Sequence, residues 1–142
     1  MPTLYHHPLL AACRKVRLAM HEKRIVFSEQ VLDPWAADSA VITLNPAGDL
    51  PILEEDDGRR IMDATAITEY LEETHPAFNL LGKTPTERAE ARRLMGWFDT
   101  KFARDVSDYT VGEKLLKRVA SREAPDSRML KVGRDNLHTH LH

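Results

Sequence analysis

The sequence predicts a mixed α/β unit over residues 1–78, followed by an all-α unit over residues 84–142. Three observations predict it. Short runs that alternate apolar and polar residues fall in the first half, two of them joined by the turn Glu55-Asp56-Asp57-Gly58, where Asp-Gly is a strong hairpin signal. Thr84-Pro85-Thr86-Glu87 combines a Thr cap, a Pro at the first helical position and a Glu at the third, which together start a helix. Beyond it Leu94, Met95, Phe98, Phe102, Val106 and Tyr109 recur at spacings of three and four, the helical period.

The elements follow in order. Residues 3–7 read as a strand closed by Pro8, and Ala11–Glu22 as a helix with Ala12, Val16, Ala19 and Met20 on its apolar face. Ile25 to Leu32 alternates as a second strand until Asp33-Pro34 breaks it. Residues 34–44 read as a short helix or irregular crossing, and Asn45-Pro46-Ala47-Gly48 as a turn cluster. Strands at 51–54 and 59–62 make the hairpin. Asp63 caps a helix over 64–73, with Ala66, Ile67, Tyr70 and Leu71 inward. The resulting β-α-β-α-β-β-α order is that of a thioredoxin-like layer. A linker around Pro76 and Gly82 leads to the Thr84 start, and Ala124-Pro125-Asp126-Ser127 breaks and recaps the helical segment. The last helix keeps Leu130, Leu137 and Leu141 in a stripe to its end, so we expect the helical domain to be cut short.

Composition narrows the function classes. Apolar residues are 42% and charged residues 30%, an ordinary globular mix that argues against extended disorder. The single cysteine, Cys13, excludes an internal disulfide and a CxxC redox pair and suits a reducing compartment. No apolar run approaches the ~20 residues of a membrane span, and MPTLYHHPLL lacks the regions of a signal peptide; the expected place is the cytoplasm. Residues 1–80 hold 7 Lys and Arg against 13 Asp and Glu, and residues 81–142 hold 13 against 9. A basic second half fits an acidic protein partner better than nucleic acid, because no aromatic residues interleave with the cations. His138, His140 and His142 form a His-x-His-x-His run; on a helix only the outer two share a face, fewer than the three or four ligands of a metal site.

Two runs carry a resemblance. Asn45-Pro46-Ala47-Gly48-Asp49-Leu50-Pro51-Ile52-Leu53, followed by Asp63-Ala64-Thr65-Ala66-Ile67-Thr68-Glu69-Tyr70-Leu71, resembles the N-terminal domain of glutathione transferases. The resemblance implies that a cis Pro51 presents the backbone of Leu50 to the cysteinyl part of glutathione. It also implies that the helix start at Asp63-Ala64 receives the γ-glutamyl carboxylate. The chain departs from the family twice. Ala64 replaces a serine whose hydroxyl binds that carboxylate. A hydrogen bond to a charged group contributes about 1.5–3 kcal/mol, a roughly tenfold to hundredfold change in affinity. The thiol-activating hydroxyl is missing too: Leu10, Ala11 and Ala12 cannot donate, and Tyr5 lies one residue off the family position, on the opposite face of its strand. His7 and Cys13 are the remaining catalytic candidates. Cys13 lies in a first helical turn beside Arg14 and Lys15, which favours a thiolate. No cofactor is required by this pattern, and glutathione is left as a weak ligand or cosubstrate.

A narrower resemblance covers the whole chain. Trp97-Phe98-Asp99-x-Lys101-Phe102, Glu113-Lys114-Leu115-x-Lys117-Arg118 and Pro125-Asp126-Ser127 look like the transferase-like bacterial division proteins that associate with the tubulin-like GTPase FtsZ. That resemblance implies a homodimer acting as a non-catalytic adaptor with FtsZ as its acidic partner. The alternative is an active transferase that conjugates glutathione to small electrophiles. Lys114, Lys117, Arg118 and Arg122 form the basic run expected to meet the partner, and Trp35, beside Pro34, is a candidate aromatic anchor.

Overall fold

A computed structural model describes residues 1–141. The chain forms two compact units, Met1–Leu81 and Gly82–His142. The first contains β1 (Thr3–His6), α1 (Ala11–Glu22), β2 (Ser28–Val31), α2 (Val41–Leu44), β3 (Ile52–Glu54), β4 (Arg60–Met62) and α3 (Ala64–Thr74), then one tight turn at Pro76–Phe78. Its four strands lie in the order β2-β1-β3-β4. β1 and β2 are parallel, while β1/β3 and β3/β4 are antiparallel. This is the mixed sheet of the thioredoxin-like layer that the element order predicts.

The period of two along the strands sorts the side chains. Leu4 pairs with Leu53, and both join Val16, Met20, Ala64, Ile67 and Leu71 in one buried cluster beneath α1 and α3. Tyr5 pairs with Ile52 and faces a second cluster of Cys13, Val41, Leu50 and Ile52. Both helices turn their faces a little away from the expected direction. Cys13, not Ala12, is buried in α1, and Ala64, not Ala66, in α3. Alanine is too small to fix the phase of a helix, so the larger Val16, Met20, Ile67 and Leu71 fix it.

The expected strand from Ile25 shortens to Ser28–Val31. The chain spends residues 23–25 ending α1. The amides of Lys23, Arg24 and Ile25 bond to Ala19, His21 and Met20 carbonyls, with Arg24 at φ 56°, a left-handed helix stop. Most of residues 34–40 is irregular; the Asp33 carboxylate accepts the Trp35 amide at 2.8 Å, which stabilises a turn there.

At the foot of α1 and α3 lies a buried ion pair that the sequence pattern did not reveal. Lys23 Nζ is 2.6 Å from Glu72 Oε1, with the side chains 1% and 3% exposed. Nζ also donates to the carbonyls of His75 and Phe78, at 3.0 and 2.9 Å. Glu72 Oε1 accepts the Leu80 amide at 3.0 Å. The pair thus ties two helix ends to the segment that leaves the unit.

The second unit opens with α4 (Pro85–Trp97), whose Thr84–Glu87 capping box forms as predicted. The helix then widens. Phe98–Leu116 winds with bonds five residues back, as from the Lys117 amide to Gly112, before α5 (Lys117–Ala120). Thr100 and Thr110 hydroxyls donate to the carbonyls of Gly96 and Val106, four residues back. Such i−4 hydroxyl bonds also occur in the regular helices α3 and α6, at Thr74 and Thr139. α6 (Ser127–Leu141) packs along this stretch. Gly133 makes the approach possible, since a Cβ there would stand 2.7 Å from Tyr109 Cβ. Asn136 donates to the Asp105 carbonyl at 2.7 Å, and His140 Nε2 lies 3.2 Å from the Asp105 carboxylate. Lys101, then His140 and Arg104, hold the Asp105 carboxyl at about 2. Among the described residues no helix is long and apolar enough to cross a membrane.

Breaking the buried pair leaves one charge without its partner, whereas replacing both ends removes the desolvation cost with it. Lys23→Met is therefore expected to lower stability by about 3–5 kcal/mol, and Lys23→Met/Glu72→Leu to lose much less. Urea unfolding of the three chains measures both; a single variant as stable as the parent refutes the assignment.

Candidate functional site

The site implied by the transferase-like motifs lies where β1, α1, β3 and α3 present their ends. The Leu50–Pro51 peptide bond is cis, and both residues are buried. Asn45 braces this loop: its side-chain amide donates to the Asp49 carbonyl at 2.9 Å, and its oxygen accepts the Ala47 amide at 3.1 Å. Gly48 sits at φ 76°, a conformation that favours glycine.

Asp63 also has a positive φ, 75°. Its Oδ1 accepts the amides of Thr65 and Ala66, at 2.8 and 2.9 Å. Two of the amides that an incoming carboxylate would use are therefore already occupied by a resident carboxylate. Ala64, buried behind them, adds a backbone amide and no hydroxyl. The helix start is thus capped by its own Asp63 carboxylate.

Three candidates named separately from the sequence meet at the end of β1. The His7 amide donates to Cys13 Sγ at 3.5 Å, and the His7 ring stands edge-on to Trp35, with centroids 4.8 Å apart. Cys13 shares its apolar cluster with Leu50. Burial dominates at the thiol. Cys13 is 0% exposed, and desolvation pushes its titration up, against smaller opposing effects of the His7 amide, Arg14 and Arg17. The basic neighbours do not deliver the reactive thiolate that the sequence position favours. His7 Nδ1 accepts the Leu9 amide at 3.3 Å, so one ring nitrogen braces its own loop. The Tyr5 hydroxyl donates to Glu54 at 3.4 Å, pointing along the sheet to β3.

His6 is the residue that the sequence reading missed. It is buried, and neither ring nitrogen has a hydrogen-bond partner; Glu29 lies 3.6 Å from Nε2. Period-two alternation from buried Leu4 was the available signal. Desolvation lowers the His6 titration below 6.5, aided by Arg17 and opposed by Glu29.

The basic run lies in the other unit. Lys117 pairs with Glu113 and Glu123, at 3.3 and 3.7 Å, and Glu113 also accepts the Asp126 amide at 2.8 Å. Lys114, Arg118 and Arg122 are exposed. Among the described residues no group of three or more metal-binding side chains occurs; His142 of the histidine run lies outside them.

Residues 11–74 match the family described as glutathione S-transferase, N-terminal domain. The match covers α1 to α3 of the α/β unit and none of the helical unit. Across 98% of its length the chain is 44% identical to FtsZ-localized protein A of Caulobacter vibrioides, of which it spans 62%. Its fold is similar to the solved structure of FzlA from C. crescentus, with a TM-score of 0.92 and 44% identity over 99% of this chain and 63% of that one. It is also similar to a crystal structure of a glutathione S-transferase from Rhodospirillum rubrum F11, with a TM-score of 0.94 and 50% identity over 99% of this chain and 64% of that one. The chain thus spans less than two thirds of these relatives.

Two outcomes follow from the buried groups. Cys13 should react with iodoacetamide at least tenfold more slowly than a free thiol near neutral pH, and at the ordinary rate in urea; fast native alkylation contradicts its burial. His6 has a lowered folded titration, so its contribution to stability is full above 6.5 and is lost as pH falls below that value. The stability of the parent should decline between pH 7.5 and 5.5, and His6→Gln should flatten that decline. An unchanged slope in urea titrations across this range removes His6 as its source.

Proposed function

We propose that the protein containing this chain is a non-catalytic adaptor of transferase fold that binds the FtsZ filament in bacterial cell division. One observation carries the reading: the 44% identity to FtsZ-localized protein A extends over 98% of the chain, into the helical unit. The glutathione site supports it. Ala64 lacks a hydroxyl, Leu10, Ala11 and Ala12 supply no donor, and Cys13 is buried. The first lowers affinity for glutathione, and the other two leave its thiol without an evident activator. Pairing as a two-fold homodimer belongs to the same proposal, with the acidic first half of one copy opposite the basic second half of its partner.

The second reading is an active glutathione transferase. The cis Leu50–Pro51 bond and the 50% identity to a transferase structure favour it. In that case His7, beside Trp35, and Cys13 are the candidate catalytic residues, and glutathione would be the cosubstrate.

The two readings separate in one sample. Co-sedimentation with FtsZ filaments, with no conjugation of a standard electrophile, supports the adaptor; conjugation at ordinary transferase rates without filament binding overturns it. Ala64→Ser should tighten residual glutathione binding by about tenfold in calorimetry, and no change would mean that the γ-glutamyl group does not reach this helix start.

A further inference from the structure

The helical unit presents a composite face at the junction of its widened stretch and α5. Exposure alternates in pairs along this segment. Glu113, Leu116 and Lys117 are partly covered, whereas Lys114, Leu115, Arg118 and Val119 are exposed. Lys117, the central cation of the basic run, is held by Glu113 and Glu123. Lys114, Arg118 and Arg122 make no ion pair among the described residues. Between them lie two aliphatic side chains, Leu115 and Val119, which are 46% and 45% exposed. Lys114 and Arg118 therefore share one narrow face with Leu115 and Val119, while Arg122, at φ 58°, lies past the end of α5.

We infer that this face docks an acidic protein segment that carries aliphatic side chains at helical spacing, its carboxylates on Lys114 and Arg118 and its apolar side on Leu115 and Val119. This deepens the adaptor reading, on which it rests only for the identity of the partner. Charge selects the occupant. A second copy of the same face would oppose cation to cation. A nucleic acid would gain nothing from two aliphatic groups, because bases stack on aromatic rings. A lipid surface calls for a longer apolar face with Trp or Phe to insert, and this face has neither. In such a contact the cations set the association rate and salt dependence, and the aliphatic pair sets the affinity that remains at high salt.

The test uses a short synthetic peptide rich in Asp and Glu with Leu at every fourth position, a version with Ser in place of Leu, and FtsZ filaments. The chain should bind the Leu peptide and filaments, and the Ser peptide weakly. Leu115→Ser/Val119→Ser should weaken binding by about tenfold at every salt concentration, with the slope of log Kd against log salt unchanged. Lys114→Gln/Arg118→Gln should flatten that slope. Both variants are surface changes and should keep the parent's melting temperature. The inference is overturned if the Ser peptide binds as well as the Leu peptide, if neither binds, or if the Leu115/Val119 variant binds like the parent. It is also overturned if phosphatidylserine vesicles compete better than the peptide, or if the parent self-associates through Leu115 and Val119. Binding of the Leu peptide with no binding of filaments supports the face and sinks the FtsZ reading. Filament binding that neither variant alters does the reverse.

Discussion

Lys23 and Glu72 bring opposite charges into the interior of the α/β unit, and much of its architecture is arranged around that contact. Lys23 is the residue at which α1 stops, and Glu72 lies in the last turn of α3. Their 2.6 Å contact fixes where the two helices end relative to each other. The carbonyls of His75 and Phe78 and the amide of Leu80 complete the coordination. Burying two charges is costly, and their attraction offsets this only with good geometry and extra hydrogen bonds. Lys23 has those bonds; Glu72 Oε2 remains unpartnered. The pair is better understood as specifying one arrangement of helix ends than as a large source of stability. With α1 and α3 so placed, Leu4, Leu53, Ile67 and Leu71 close over the sheet.

The same α1 carries Cys13 at its other end, and this links the core to the candidate site. The phase that turns Val16 and Met20 inward also turns Cys13 inward. A thiol in that position packs beside Leu50 and Ile52 and cannot serve as a nucleophile without exposing the cluster. At α3 the corresponding constraint is Asp63, whose carboxylate satisfies amides that a bound anion would otherwise use. The cap therefore serves the helix directly, whatever else approaches its first turn.

In the helical unit the division of labour differs. Asp105, Asn136, His140 and Gly133 hold α6 against the widened stretch. Lys117 is drawn into the support of the 124–127 turn through Glu113. Only after those internal bonds are assigned does the remaining charge become a surface property. The basic run of the sequence is therefore smaller on the surface than its residue count suggests, and it is mixed with aliphatic groups.

Hydrophobic period, turn chemistry and capping residues were enough to place most elements. α1 begins and ends where the pattern predicts, the Asp57-Gly58 hairpin forms, and Thr84 caps with Glu87. These features depend on residues near one another in the chain, so local pattern encodes them. The transferase resemblance was legible for the same reason, since its two motif runs are contiguous. Packing decided the rest. Whether Cys13 or Ala12 faces inward depended on the larger residues a turn away. The pairing of Lys23 with Glu72 and the approach of His7 to Trp35 join positions distant in sequence, which no periodicity records. The widening after Trp97 leaves no mark in the apolar spacing, which reads as an ordinary helix. Sequence determined the order and kind of the elements, because each is set by neighbours along the chain. Tertiary structure decided which charges and thiols remain available to chemistry, because availability depends on what is left after every buried group has found, or failed to find, a partner.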